Sequence, residues 1–173
     1  MLHHFQGLGT EYRELTTRSY PDRPLVAVGA VIIHDSRVLI VQRASPPRLG
    51  EWTIPGGLVE IGETLRAATE REVLEETSLV VKAGAVLDVF DSIYPDAQGR
   101  TEYHYVLIDF FCELVSGELK AATDISDARW ITLTEVDETP LIGFSAQVIK
   151  KGFEKLIGSE AKAKLKRKAK LPT

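Results

Sequence analysis

Glu72, Glu75 and Glu76 follow closely on Arg71, and a fourth acid, Glu63, stands eight residues before that arginine. Clustered carboxylate oxygens suit hard divalent cations, Mg²⁺ first and Mn²⁺ second, which take octahedral oxygen ligands and retain several waters. The chain holds no Cys/His cluster and offers little to zinc. A diphosphate resists attack because its own negative charge repels water or hydroxide. Divalent cations offset that charge, acidify a bound water and hold nucleophile and leaving group in line. A carboxylate beside them can take the proton. Acids in this pattern therefore point to a divalent-cation site of the kind that such a hydrolysis requires.

The element that must present them is a helix. Residues 63–77 contain no Pro or Gly and are rich in Ala, Leu, Glu and Arg. Gly56, Gly57 and Gly62 precede it as a flexible loop would. At about 100° per residue, the three acids share an arc of about 100° on one face. Like charges at this spacing destabilise an isolated helix, so they call for a compensating cation. The apolar residues Leu65, Ala67, Ala68, Val73 and Leu74 form no clean opposite stripe, as a plain surface helix would have. The competing account is a solvated acidic face balanced by Arg66 and Arg71, with Arg71 paired to Glu75 for about 0.2–0.5 kcal/mol. The loop glycines and the offset to Glu63 favour the metal site.

The whole stretch 57–79, GLVEIGETLRAATEREVLEETSL, resembles the signature of the Nudix hydrolases, G-x5-E-x7-R-E-U-x-E-E-x-G-U with U aliphatic. It departs at one position, where Ser78 replaces the second Gly. The resemblance implies that Glu72, Glu75 and Glu76 bind metal, with the backbone carbonyl of Gly56 as a further ligand. It implies that Arg71 is the orienting arginine and Glu63 its partner. Glu63 also reads as a first-turn carboxylate favoured by the helix dipole. The general base in such enzymes is a signature glutamate or an acid from a distant loop. Glu72 is the first candidate here and Asp124, in ATDISDARW, the second, with Asp127 as its neighbour; both aspartates also suit a polar turn. A left-handed residue is favoured at the helix end where Ser78 stands, and a non-Gly residue there costs about 1–2 kcal/mol. A different helix ending is expected.

Substrate-reading residues lie outside the signature. Arg43 ends a strand and can grip a phosphate bidentately, or serve as a solvated strand-end cation. Trp52 and Phe144 can stack on a base, though such aromatics more often belong to the core. Tyr94 begins a turn at the pocket rim or packs over a hairpin. His104 shares a strand face with Glu102 and Val106 and reads more readily as a structural histidine than as a ligand contact. RASPPRLGEWTIPGG and HYVLIDF resemble both the members described as ADP-ribose pyrophosphatases and those that hydrolyse nucleoside triphosphates.

The 173 residues amount to one domain with enough apolar content, 44%, to bury a core. The net charge of −4 is unevenly spread. Lys162, Lys164, Lys166, Arg167, Lys168 and Lys170 face only Glu160 in 159–173, leaving 15 basic and 24 acidic residues, −9, in 1–158. An acidic body argues against a specific nucleic-acid partner, and the basic tail reads as a frayed helix end or a solubilising tail, with a phosphate-polymer or membrane contact as the minority reading. Cys112 is the only cysteine, so no intramolecular disulfide forms, and it reads as a small buried hydrophobe. No apolar run approaches a membrane span and the N-terminus lacks a signal-peptide core. A cytoplasmic protein is expected, with a small-molecule nucleotide substrate and no membrane partner.

Residues 25–33 read as a strand buried on both faces, hairpinned through His34-Asp35-Ser36 to a strand at 37–43. Trp52-Ile54, 85–94, 101–114 and 130–133 read as further strands, and 144–157 repeats apolar residues at a helical period. This order fits the fold that the resemblance implies, an α/β/α sandwich with a central mixed β-sheet. The expected organisation is an N-terminal extension (1–23), a hydrolase domain (24–157) and a basic tail (158–173). The extension is proposed as an arm that makes a homodimer, with an untethered tail as the alternative. The expected activity is hydrolysis of the pyrophosphate bond in a nucleoside diphosphate linked to another group, ADP-ribose giving AMP and ribose 5-phosphate. The alternatives are a (deoxy)nucleoside triphosphate pyrophosphatase and a non-catalytic nucleotide-sensing domain.

Overall fold

The apolar run at 25–33 becomes the sheet's central strand, and its alternation decides the architecture. The computed structural model describes residues 18–45, 48–121 and 125–168. The strands are β1 (Leu25–His34), β2 (Arg37–Arg43), β3 (Trp52–Thr53), β4 (Gly56–Leu58), β5 (Val80–Pro95), β6 (Thr101–Ser116) and β7 (Ile125–Thr132). The helices are α1 (Leu65–Thr77), α2 (Leu133–Glu138) and α3 (Ser145–Lys168). The main sheet path runs β3-β2-β1-β6-β5, with β4 paired to β1 and β7 to β2. Only β1 and β6 among these pairs run parallel, which makes the sheet mixed.

Successive strand residues point to opposite faces, so β1 and β2 serve two cores at once. Val28, Ala30, Ile32 and Leu39 meet Ala68 and Val73 of α1. Val31, Val38 and Ile40 meet Val148, Ile149 and Phe153 of α3. Helices thus cover both faces, giving the α/β/α sandwich. Val31, Ile32, Val38, Leu39 and Ile40 have no exposure, and each such burial contributes about 1.5–3 kcal/mol. Asp35 and Ser36, with φ of 47° and 60°, form the two-residue hairpin turn whose twist matches the flanking strands.

Several elements differ in extent from the sequence expectation. Strand β5 begins at Val80 rather than 85, because the irregularity at Gly84 is a bulge within the strand and not its start. Strand β7 begins at Ile125 rather than Trp130, its polar first half pairing with the outer part of β2. Helix α2 carries a capping box between Thr132 and Glu135 that the sequence reading passed over. Helix α3 continues to Lys168, so the basic stretch to that residue is helical. Among the described residues no helix is long and apolar enough to cross a membrane.

Candidate active site

Helix α1 is fixed by its cap. Thr64 Oγ1 accepts a hydrogen bond from Ala67 N at 3.2 Å, which satisfies one of the free first-turn amides. The helix therefore starts after Glu63, not with it. Ala68, Thr69, Val73 and Thr77 form its buried face, while Leu65 and Leu74 are exposed. Thr69 and Thr77 bury their hydroxyls by donating to Leu65 O and Val73 O. The helix ends at Ser78 in the left-handed region, φ 60°, donating its N–H to Leu74 O. The expected change of ending does not occur; Ser78 takes the glycine-type conformation and its strain.

Arg71 organises the acids. Its Nε and Nη2 donate to the two oxygens of Glu63 at 3.1 and 2.7 Å. Nη1 donates to Glu72 at 2.9 Å and Glu75 at 3.1 Å, and Nη2 also donates to Leu58 O at 3.0 Å. These five bonds match the five N–H groups that a guanidinium has. Glu63 is in turn held by Glu60 N at 2.7 Å. The pairing with Glu63 is the first cause that raises Arg71's pKa, and the Arg71 guanidinium holds Glu63's carboxyl below its usual range.

Strand β4 brings the glycines to the acids. Gly57 lies opposite Val28 and Gly56 opposite Gly29. A Cβ at Gly57 would stand 2.5 Å from the Glu72 carboxylate, so the missing side chain is the space that this carboxylate fills. Gly56 N donates to Glu76 Oε2 at 2.9 Å. Burial raises the pKa of Glu72, Arg71 opposes that shift, and Glu75 adds to it. Glu75 itself is more exposed than Glu72, at 57% against 16% for the side chains.

No three acidic, histidine or cysteine side chains among the described residues form a ready-made ligand cluster. Glu72 and Glu76 nevertheless line one cavity with Gly56 and Gly57. Mg²⁺ is characteristically held by one or two carboxylates, waters and substrate phosphates rather than by an all-protein cage. The donor set fits an ion of that kind.

The cavity measures about 610 Å³, within the range of small-ligand sites. Arg43, Tyr94 and Phe144 line it together with Glu72 and Glu76. Trp52 and His104 are not among its lining residues. Trp52 packs against the α3-side core, with the Arg129 guanidinium 4.2 Å from its ring centre. His104 lies opposite Ile93 in the β5–β6 pair. Asp124 falls outside the described residues, and Asp127 Oδ1 accepts from Ala128 N on β7. The sequence reading passed over Arg18, Arg48, Phe90, Tyr105 and Asp109, which also line the cavity. Phe90 meets Phe144 with ring centres 4.5 Å apart, and Arg48 stands 5.0 Å from the Tyr94 ring centre. Apart from Arg18, which precedes the first strand, their one sequence signal was membership in the strands and loop flanking the signature; contacts across 54 residues have no local trace.

Residues 23–152 match the NUDIX domain model. The ADP-ribose pyrophosphatase of Methanocaldococcus jannaschii is 35% identical over 130 residues, covering 75% of this chain and 73% of that protein. A Mycobacterium tuberculosis protein, "Putative 8-oxo-dGTP diphosphatase 2", is 37% identical over 116 residues, covering 65% of this chain and 77% of that one. Among solved structures, the NUDIX domain of Shewanella oneidensis NrtR complexed with ADP ribose superposes with a TM-score of 0.64. It is 27% identical, over 85% of this chain and 99% of that one. The signature helix, its arginine hub and the match across most of the chain agree, and the protein belongs to the Nudix hydrolase family.

Proposed function

We propose that this enzyme hydrolyses the pyrophosphate bond of ADP-ribose to give AMP and ribose 5-phosphate, with Mg²⁺ as the cation and Mn²⁺ as a substitute. The observation that carries the reading is the 35% identity to the Methanocaldococcus jannaschii ADP-ribose pyrophosphatase across three quarters of the chain. The cavity supports it, since both carboxylates and aromatic side chains line it.

In this reading Glu72 and Glu76, the Gly56 carbonyl and Glu75 would hold the cation, which would supply charge neutralisation and an acidified water when bound. Glu72 takes the proton as the water oxygen bonds to phosphorus and the anhydride P–O bond breaks. Arg71, locked by Glu63, orients the Glu72 carboxylate. Arg43 faces a substrate phosphate, and Tyr94 and Phe144 border the organic groups. Asp124 is the second choice of base.

The test is a product assay with Mg²⁺ on ADP-ribose, other nucleotide sugars, dinucleotides and (deoxy)nucleoside triphosphates. Release of AMP and ribose 5-phosphate at the highest kcat/KM of the panel is expected. Preference for a triphosphate, releasing pyrophosphate, would replace this reading with the one favoured by the relative named for 8-oxo-dGTP. Turnover of none would leave nucleotide sensing.

A further inference from the structure

Asp109 is the buried charge that the cleavage chemistry leaves unused. It sits in β6 between Ile108 and Phe110, whose side chains enter the α1-side core, so its own side chain projects to the α3 side. It is 4% exposed and lines the cavity. Among the described residues no group donates a hydrogen bond to its carboxyl and no cation pairs with it. Its charged neighbour is another acid, Asp88, directly opposite on β5 and already held by Lys151 of α3. No fully buried side-chain oxygen among the described residues lacks a partner, so this unpaired carboxyl keeps its oxygens open to the cavity. A second position accommodates the same carboxyl. Gly29 is its partner on β1, and a Cβ there would fall on Asp109 Oδ1.

The surroundings select a chemistry. Burial, reinforced by the Asp88 charge, pushes Asp109 up to about 7, so near neutrality the carboxyl presents an O–H donor beside a carbonyl acceptor. Two positions along the strand, about 7 Å away, Leu107 projects to the same face opposite Phe90, which contacts Phe144. The two rings are tilted by 55°, so a flat group can lie face-on against one of them and direct its edge along the strand toward the acid. A phosphate matches poorly, because two acids stand together there.

Taking the substrate to be a nucleotide, as above, we propose that Asp109 is a specificity-determining residue that hydrogen-bonds the polar edge of a nucleobase packed against the Phe90–Phe144 pair. The carboxyl donates to a ring nitrogen and accepts from an adjacent amino group. An amide at this position preserves both bonds and an alkyl group preserves neither.

Calorimetric titration with Mg²⁺ tests this, using AMP, purine riboside 5′-monophosphate (which lacks the 6-amino group) and ribose 5-phosphate as probes. Asp109→Leu is expected to weaken AMP at least about tenfold and Asp109→Asn no more than about threefold. Ribose 5-phosphate should bind all three proteins alike, an outcome that a merely structural role would not produce. The amino-free nucleotide should bind the wild type more weakly than AMP. Equal AMP affinity in wild type and Asp109→Leu overturns the proposal. So does an Asp109→Asn loss as large as the Leu loss, or a parallel loss of ribose 5-phosphate binding. If Asp109→Leu fails to fold, Asp109→Ala takes its place under the same criteria. Wild-type protein that binds no probe overturns this proposal and the nucleotide reading together, whereas wild-type binding with indifferent variants overturns this one alone.

Discussion

Two acids in one cavity, Glu72 and Asp109, have opposite surroundings. Glu72 stands beside Arg71, whose five N–H groups are all engaged. Asp109 has another acid beside it and no donor among the described residues. Burial raises the pKa of both, and at Glu72 alone an arginine opposes the rise. The contrast teaches that one cavity can hold a polar pole suited to cations and phosphates and a nearly neutral pole suited to an uncharged group. Charge compensation, rather than burial, distinguishes them.

The comparison breaks most readily at the polar pole. Glu76→Gln should lower kcat by about 10²–10⁴-fold with the fold intact, read from steady-state kinetics beside a thermal melt; near-normal turnover would remove Glu76 from the machinery. At the neutral pole the effect is on stability. A carboxyl with a raised native pKa binds its proton more tightly when folded. Its penalty is absent below the unfolded pKa near 3.8, grows as pH rises, and is complete above about 7. Asp109→Asn should therefore gain over wild type by on the order of 3 kcal/mol at pH 8 and progressively less toward pH 5. A pH-independent difference between the two melting curves would contradict the neutral-pole description.

Arg71→Lys keeps the charge but loses the fork that serves Glu63, Glu72 and Glu75 together. A loss of about 2 kcal/mol in urea unfolding is expected, since the group is only partly buried. An unchanged midpoint would mean that the hub contributes no stability. The smallest effect lies away from both poles. Ser78→Gly relieves the left-handed strain and should stabilise by about 1 kcal/mol without altering kcat. A change in kcat would show that the helix end communicates with the carboxylates.

The polar pole was legible in the sequence because its residues lie within 57–79 and a helix converts their spacing directly into a shared face. The neutral pole was not. Asp109 appears there as one acid in the apolar run VLIDFFCEL. Its meaning depends on Gly29 eighty residues earlier and on a bulged pairing with Asp88. Strand β1 and the hairpin were readable from an unbroken apolar run and a short polar turn. The first half of β7 was not, since ISDAR carries turn-type residues that only pairing with β2 draws into a strand. Trp52 shows the limit from the other side, because an aromatic near the signature loop gives no local sign of whether it faces the cavity or Arg129.

Among the residues with described side chains, helix α3 carries its anchorage at one end. Val148, Ile149, Gly152 and Phe153 are buried, whereas beyond Phe153 no residue with a described side chain is buried. The remaining fifteen residues to Lys168 span about 22 Å at 1.5 Å per residue. Backbone amides along this single helix should consequently keep different clocks, exchanging with solvent deuterium slowly at the sheet and faster from Glu154 to Lys162, as local opening there leaves the docked part undisturbed.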